Sequence, residues 1–167
     1  MSISTWILER RRHAGGTVRI GRPILPPVYL LATLLLMIAL WVFSPGPRVI
    51  AVPWNLIGVA FVGLGIALNV NGDRQFQRAQ TTMNPFGEPR ALVTTGVFRH
   101  SRHPMYLGMV LLTTGLALFI GYATPLAGPA LMWAVLNHRF IPHEERTMSR
   151  SFGQQYERYR TSTRRWL

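Results

Sequence analysis

The sequence predicts an all-α integral membrane protein, in which a bundle of four transmembrane helices carries a cytoplasmic loop and a C-terminal helix. Two observations predict this fold class. Apolar residues make up 49% of the 167 residues and charged residues only 14%, whereas about a quarter of the residues in a soluble domain are charged. The basic residues, all of them arginine, are also distributed very unevenly about the long apolar runs.

Four apolar runs define the predicted helices. Residues 25–43 and 52–70 contain no charged side chain and are long enough to cross a hydrocarbon core of about 30 Å as helices. The third helix is predicted at residues 104–122 and the fourth at residues 124–141. A cytoplasmic tail helix should follow at about residues 142–160.

A basic lead precedes these helices. We expect a single domain at residues 25–167, with residues 1–24 as an N-terminal lead that is dispensable for chemistry. The lead holds five arginine residues, and the apolar run after it has full transmembrane length without a small-residue cleavage pattern. A cleaved signal peptide is therefore not expected.

The arginine distribution predicts the orientation in the membrane. With four crossings, 17 of the 18 basic residues lie on one side and only Arg48 on the other. Basic residues mark the cytoplasmic face, so a multi-pass protein with both termini cytoplasmic is expected, in a bacterial inner membrane. The net charge of +12 could also indicate nucleic-acid binding. Its restriction to one membrane face instead favours anionic lipid headgroups as partners, and no nucleic acid.

Glycine and proline residues shape the middle of the chain. The second helix carries Gly58, Gly63 and Gly65, which we interpret as small residues that allow close helix packing. The cytoplasmic loop at residues 71–105 is irregular around residues 81–89. Long loops of this kind are usually functional or disordered, and its continuity with the polar segment after it favours function.

A polar constellation lies where the third helix begins. Pro104 fits the first turn of that helix, which places His103 and Tyr106 at its cytoplasmic end, while Glu144 and Glu145 follow the fourth helix. Ionisable side chains at a membrane border are functional-site candidates, although basic residues there also serve as simple anchors. The ordered arrangement favours a functional site, because anchoring requires no order.

The tail helix is patterned as well. Pro142 suits a helix start, and carboxylates in the first turn would complement the helix dipole. Gly153 should interrupt or bend the helix, and Tyr156, Tyr159 and Trp166 are typical of a membrane-interface belt. Glu144 begins an apolar stripe at four-residue spacing that continues through Met148, Phe152 and Tyr156.

These ordered motifs resemble those of the isoprenylcysteine carboxyl methyltransferases, which are akin to the phospholipid methyltransferases. The resemblance spans residues 81–167 and implies an S-adenosylmethionine-dependent enzyme whose cofactor pocket is built from the cytoplasmic loop, the start of the third helix and the tail. The motifs that carry it are Leu92-Val93-Thr94-Thr95-Gly96-Val97-Phe98, Arg102-His103-Pro104-Met105-Tyr106-Leu107-Gly108, and Glu144-Glu145 followed by Phe152-Gly153-Gln154-Gln155-Tyr156.

The resemblance also implies roles for individual residues. Arg139 and Glu145 would be catalytic, with Arg139 as the contact for a lipophilic or lipidated acceptor that carries an anionic group. Phe98 stands where the family often has tyrosine, so a hydroxyl contact is absent there. The implied cofactor-binding residues are Arg90, Ala91, Leu92, Val93, Phe98, His103, Pro104, Met105, Tyr106 and Glu144.

The residue types agree with methyl transfer, which needs alignment and desolvation more than a proton shuttle. Glu144 could accept hydrogen bonds from the cofactor's amino group or ribose, and His103 could donate to its carboxylate. No metal site is expected, because cysteine is absent and the histidines are dispersed.

Two other functions stay open at this point. Sterol reductases, which use a nicotinamide cofactor, look similar around the Arg-His-Pro-x-Tyr helix, although they generally have more membrane helices. A non-enzymatic membrane scaffold is the third reading, and it would leave the order of the motifs unexplained. The oligomeric state is not readable from the sequence.

Overall fold

The structure is a computed structural model that describes residues 24–81 and 89–167. These residues fold mainly into helices, and the described ranges contain no β-strand. Apart from Ile24, the predicted N-terminal lead lies outside the described residues, as does most of the irregular segment at residues 81–89. The helices are α1 (Pro26–Phe43), α2 (Ile57–Arg78), α3 (Pro104–Ile120), α4 (Ala127–Val135), α5 (Ile141–Phe152) and α6 (Gln154–Ser162).

Helix α2 continues eight residues beyond its predicted end at residue 70. The prediction followed the apolar run, which reflects the thickness of a bilayer rather than the length of a helix. The polar residues that follow also support a helix: Gln77 Nε2 donates to Asp73 Oδ2 one turn earlier, at 2.8 Å. The extension places Phe76 on α2, where its ring meets that of Phe98 edge to face.

The fourth helix and the tail helix are continuous, which corrects the predicted break between residues 141 and 142. After α4, the turn Leu136–Phe140 is a π-helix that leads directly into α5. Pro142 has no N–H to donate and its ring crowds the preceding turn, and the wider π turn accommodates this without ending the helix. The break comes instead at Gly153, which has a φ of 50°, as predicted.

Helices α2 and α3 approach closely along a line of glycines. A Cβ atom on Gly65 would lie 2.7 Å from the carbonyl oxygen of Gly108, and one on Gly115 would lie 2.6 Å from that of Gly58. This confirms the packing role predicted for Gly58 and Gly65. The prediction was wrong for Gly63, because a Cβ there would meet no atom within 4 Å.

The outward surface of the helices is apolar. The segments Pro26–Phe43 and Trp54–Arg78 are long and apolar enough to cross a membrane, and only 17% and 22% of their most apolar windows are buried. Helix α3 is apolar but shorter, with 17 residues. Extended apolar surface on the outside of a fold indicates a membrane or a partner. The third and fourth crossings stay predictions.

The buried core lies at the junction of α3 with α4 and the π turn. Tyr106 and Met109 on α3 pack against Met132, Leu136 and Phe140, each of which is fully buried or nearly so. The start of α1 closes one side of this core. The first turn of α3 is thereby fixed against the segment that carries the two glutamates.

Candidate active site

The segment before α3 is shaped by its own hydrogen bonds. A short 3-10 turn, Gly96–Arg99, begins at Gly96 with a φ of 60°, a conformation that glycine adopts easily. The backbone N–H of His103 then donates to Ser101 Oγ at 3.2 Å. Pro104 lies in the first turn of α3, as predicted. Arg102 and His103 are therefore held immediately before the helix, and Tyr106 lies one turn inside it.

A cavity of about 290 Å³ opens beside this segment. Its walls are mostly apolar, and its polar side chains are Arg102, His103, Tyr106 and Glu144. The apolar wall combines the start of α1, the C-terminal end of α2 and the first turns of α3. Its residues are Leu25, Pro26, Pro27, Phe76, Phe98, Pro104, Met105 and Met109.

A second cavity, of about 30 Å³, borders three of the same polar residues, Arg102, His103 and Glu144. It is bounded by the segment between α2 and α3 and by the tail. Five residues line both cavities and form a shared wall: Phe76, Phe98, Arg102, His103 and Glu144. The remaining lining residues of the smaller cavity are Ala91, Leu92, Val93, Met148, Tyr156 and Tyr159.

The shared wall holds buried polar atoms that lack a hydrogen-bond partner among the described residues. They are Nε and Nη1 of Arg102, Nε2 of His103 and Oε2 of Glu144. His103 comes no closer than 3.7 Å to Glu144 and 3.6 Å to Glu145, which is too long for a hydrogen bond. Buried polar atoms are normally paired, so this group of donors and one acceptor fits a polar ligand.

Glu145 is fully engaged with protein groups. It accepts hydrogen bonds from Arg165 Nε and Nη2 at 3.1 and 2.6 Å, and it forms an ion pair with Arg102 Nη2 at 3.1 Å. Burial alone would raise the pKa of Glu145, but the nearby His103 imidazole, the hydrogen bonds from Arg165 and the charge of Arg102 lower this pKa to about 2. Glu145 is therefore a permanent anion behind the shared wall and lines neither cavity.

The tail closes the smaller cavity. Three members of the predicted stripe, Glu144, Met148 and Tyr156, line it together. Tyr156 and Tyr159 are buried, so their predicted place in an interface belt was wrong. The Tyr159 hydroxyl instead donates to the carbonyl oxygen of Phe98 at 2.7 Å, which fixes the tail to the turn before α3. Burial raises the pKa of Tyr156 to about 12, so its hydroxyl stays protonated at neutral pH.

The structure brings all but one of the predicted cofactor-binding residues to the two cavities. That one, Arg90, and the two residues predicted to be catalytic, Arg139 and Glu145, line neither cavity. Arg90 is exposed, and its backbone N–H donates to Thr81 Oγ1 at 3.0 Å. Arg139 is exposed, and its guanidinium lies 5.6 Å from the centre of the Tyr29 ring. Those that line a cavity are Ala91, Leu92, Val93, Phe98, His103, Pro104, Met105, Tyr106 and Glu144.

Sequence reasoning did not include Arg102 and Phe76 among the site residues. Arg102 belongs to the Arg-His-Pro motif and could have been included on that ground. Phe76 carried no signal, because it lies beyond the apolar run and its place depends on the extension of α2. The start of α1 was missed for a similar reason, since nothing in its composition shows that Pro26 and Pro27 border a cavity.

The sequence pattern of the phospholipid methyltransferase family matches residues 54–155, more than half of this chain. The chain belongs to this family. Protein-S-isoprenylcysteine O-methyltransferase B of Arabidopsis thaliana is 29% identical over 169 residues, which cover 93% of this chain and 81% of that protein. Protein-S-isoprenylcysteine O-methyltransferase of Schizosaccharomyces pombe is 33% identical over 70 residues, 41% of this chain and 29% of that protein.

The fold is also similar to a solved structure. The eukaryotic intramembrane Ras methyltransferase, an isoprenylcysteine carboxyl methyltransferase, matches with a TM-score of 0.66 and 21% identity. The match covers 84% of this chain and 51% of that one, so this chain spans about half of its length. The all-helical fold class is confirmed by this likeness. The family and the relatives together indicate a membrane methyltransferase.

Proposed function

We propose that this chain transfers a methyl group from S-adenosylmethionine to a lipophilic acceptor that resides in the membrane. The observation that carries this proposal is the shared wall, where unpartnered polar atoms of Arg102, His103 and Glu144 border a largely apolar cavity. A polar cofactor and an apolar acceptor would meet at such a boundary. Family membership supplies the reaction class.

The residues of the shared wall fit the polar groups of S-adenosylmethionine. Arg102 and His103 provide donors for the cofactor's carboxylate, and Glu144 provides an acceptor for its amino group or ribose hydroxyls. Phe76 and Phe98 offer aromatic surface on both cavities. When bound, the cofactor supplies an electrophilic methyl group on a sulfonium. The protein then has to align the acceptor and exclude water.

The larger cavity fits the acceptor. Leu25, Pro26 and Pro27 at the start of α1 face Met105 and Met109 on α3 across it, and Leu25 and Pro27 are exposed at the surface. An apolar chain could enter from the bilayer at this edge. The name of the Arabidopsis relative refers to isoprenylcysteine, and a lipidated acceptor would also suit the apolar lining of the larger cavity.

Arg102 is better placed than Arg139 to contact an anionic group in the site. Its side chain is 9% exposed, and two of its nitrogens are unpartnered at the cavity wall. The Arg139 guanidinium lies over Tyr29, outside both cavity linings. We therefore assign anion binding to Arg102, and propose that Arg139 links the fourth helix to α1 and to lipid headgroups.

The proposed orientation has four crossings with both termini cytoplasmic. The arginine distribution supports it. The site would then lie at the cytoplasmic border, where a water-soluble cofactor and a membrane-embedded acceptor are both accessible.

A methyl-labelling experiment tests the proposal. The purified protein is incubated with methyl-labelled S-adenosylmethionine and a membrane lipid extract, and the products are analysed by mass spectrometry. We expect the label in an apolar product with wild type and with Glu157→Gln, whose carboxylate lies on the surface, and its loss with Glu144→Gln. Absence of labelled product from lipid extracts and from prenylated cysteine peptides alike would overturn the proposal.

A further inference from the structure

The last residues of the chain lie against the candidate site. We call residues 163–167 the C-terminal strap. The backbone N–H of Arg102 donates to the carbonyl oxygen of Arg164 at 2.9 Å, and Ser101 Oγ donates to that of Arg165 at 3.3 Å. The strap therefore pairs directly with the two residues that precede His103.

The Ser101 contact is partly buried. Ser101 is 2% exposed and also accepts from the backbone N–H of His103. A single serine hydroxyl thus connects the strap to the turn that leads into α3. Movement of the strap would disturb the backbone of the segment that contains Arg102 and His103.

The strap is anchored at its far end. Trp166 Nε1 donates to Asn137 Oδ1 at 3.4 Å, and its ring lies 6.5 Å from that of Trp133. Asn137 belongs to the π turn, and Trp166 packs against the buried core. The strap thus spans from the fourth helix to the segment before α3.

Glu145 joins the strap to the shared wall through side chains. Its carboxylate accepts two hydrogen bonds from Arg165 on the strap and forms an ion pair with Arg102. Arg102 uses only Nη2 in this contact, so its Nε and Nη1 atoms remain available to a ligand in the cavity. The orientation of the free guanidinium edge is therefore set by an anion that the strap itself holds in place.

We propose that the C-terminal strap and Glu145 form a positioning device that holds Arg102 and His103 in the geometry required for cofactor binding. This inference rests on the proposed function for its ligand, S-adenosylmethionine. Glu145, which the sequence had suggested as catalytic, acts in this account through Arg102. It does not touch the cofactor or the acceptor.

Three variants and one control test the device. Arg165→Ala removes both bonds to Glu145, whereas Arg165→Lys keeps the charge and loses the paired geometry. Arg160→Ala is the matched control, because Arg160 pairs with Glu157 on the surface of α6. A chain ending at Ser162 removes the strap completely. All are compared with wild type in the same detergent, with folding checked by circular dichroism.

Two readouts are measured. Hydrogen exchange of the Arg102 amide reports on the strap without any cofactor, and calorimetry reports S-adenosylmethionine affinity. We expect Arg165→Ala to speed exchange and weaken affinity roughly tenfold each, as for a lost charge-assisted bond. The exchange rate and the affinity of Arg165→Lys should lie between those of wild type and Arg165→Ala. Both quantities in Arg160→Ala should match wild type within about twofold. The truncated chain should show the largest change.

The outcomes separate this inference from the proposed function. If the exchange of the Arg102 amide is the same in Arg165→Ala, the truncated chain and Arg160→Ala, the strap does not position the segment. If exchange rises while cofactor affinity is unchanged, the positioning role is overturned. If wild type binds no S-adenosylmethionine, the proposed function fails, while the exchange data still decide whether the strap holds Arg102.

Discussion

The imidazole of His103 lies parallel to the phenol ring of Tyr106, with ring centroids 5.6 Å apart and planes 6° from parallel. Pro104 between them starts the helix that sets this spacing. The stack fixes the plane of the imidazole, so that its two nitrogens face Glu144 and Glu145 at 3.7 and 3.6 Å. The motif Arg-His-Pro-x-Tyr is thus a geometric unit in which the helix start orients the polar groups of the wall.

Lysine substitutions distinguish the two candidate arginines. Arg102→Lys keeps the charge but loses the planar fork, so we expect methyl transfer to fall at least roughly tenfold. Arg139→Lys should retain activity within about twofold, because an exposed cation over Tyr29 tolerates the change. Initial rates with a labelled acceptor measure both. A large loss in Arg139→Lys with normal cofactor affinity would return the acceptor contact to Arg139.

Cysteine labelling tests the predicted orientation. The chain has no native cysteine, so single probes are unambiguous. His100 and Ser162 are exposed and belong to the proposed cytoplasmic face, and Ala51 is exposed in the loop between α1 and α2. A membrane-impermeant maleimide should label His100→Cys and Ser162→Cys from one side and Ala51→Cys from the other. Labelling of the first two from opposite sides would refute four crossings.

Much of the fold could be predicted from the sequence because hydropathy and helix breakers act locally. The first two long apolar helices, the first turn at Pro104 and the break at Gly153 follow from such local signals. The extension of α2 and the continuity of the fourth helix into α5 could not, because they depend on side-chain pairing and on a π turn. Neither has a periodic signature.

The site was predictable where motif residues themselves line the cavities, as His103 and Glu144 do. It was not predictable where contacts cross large sequence separations. Arg165 reaches Glu145 across 20 residues, and Ser101 reaches the strap across 64. Such pairings follow from the packed fold, so the reading of Glu145 as a group at the reaction centre could not be tested before the structure.

Protonation of Glu145 should make the folded protein less stable at acid pH. Because its pKa is depressed from 4.5 to about 2 in the folded protein, its contribution is fully present above about pH 4.5 and is lost as the pH falls towards 2. The melting temperature of wild type should therefore fall more steeply over this pH range than that of Glu145→Gln, because the variant lacks the contribution of the carboxylate at every pH. Parallel pH profiles would show that the carboxylate does not stabilise the fold.

Glycine packing gives a stability prediction with a control in the same pair of helices. Gly115→Ala would put a methyl group 2.6 Å from the Gly58 carbonyl oxygen and 2.7 Å from Val62, so we expect a loss of about 1–3 kcal/mol. Gly63→Ala meets open space and should be neutral or slightly stabilising, since alanine favours helix. Thermal melts in one detergent compare the two. Equal melting temperatures would contradict the close packing of α2 on α3.

Calorimetric titration of the purified protein with S-adenosylmethionine and, separately, with NADPH tests the central claim most directly. The account predicts saturable binding of S-adenosylmethionine and none of NADPH. It also predicts roughly tenfold to hundredfold weaker binding in Glu144→Gln, as expected for the loss of one charge-assisted hydrogen bond, and unchanged binding in Glu157→Gln. Binding of NADPH alone, or equal S-adenosylmethionine affinity in wild type and Glu144→Gln, would contradict it.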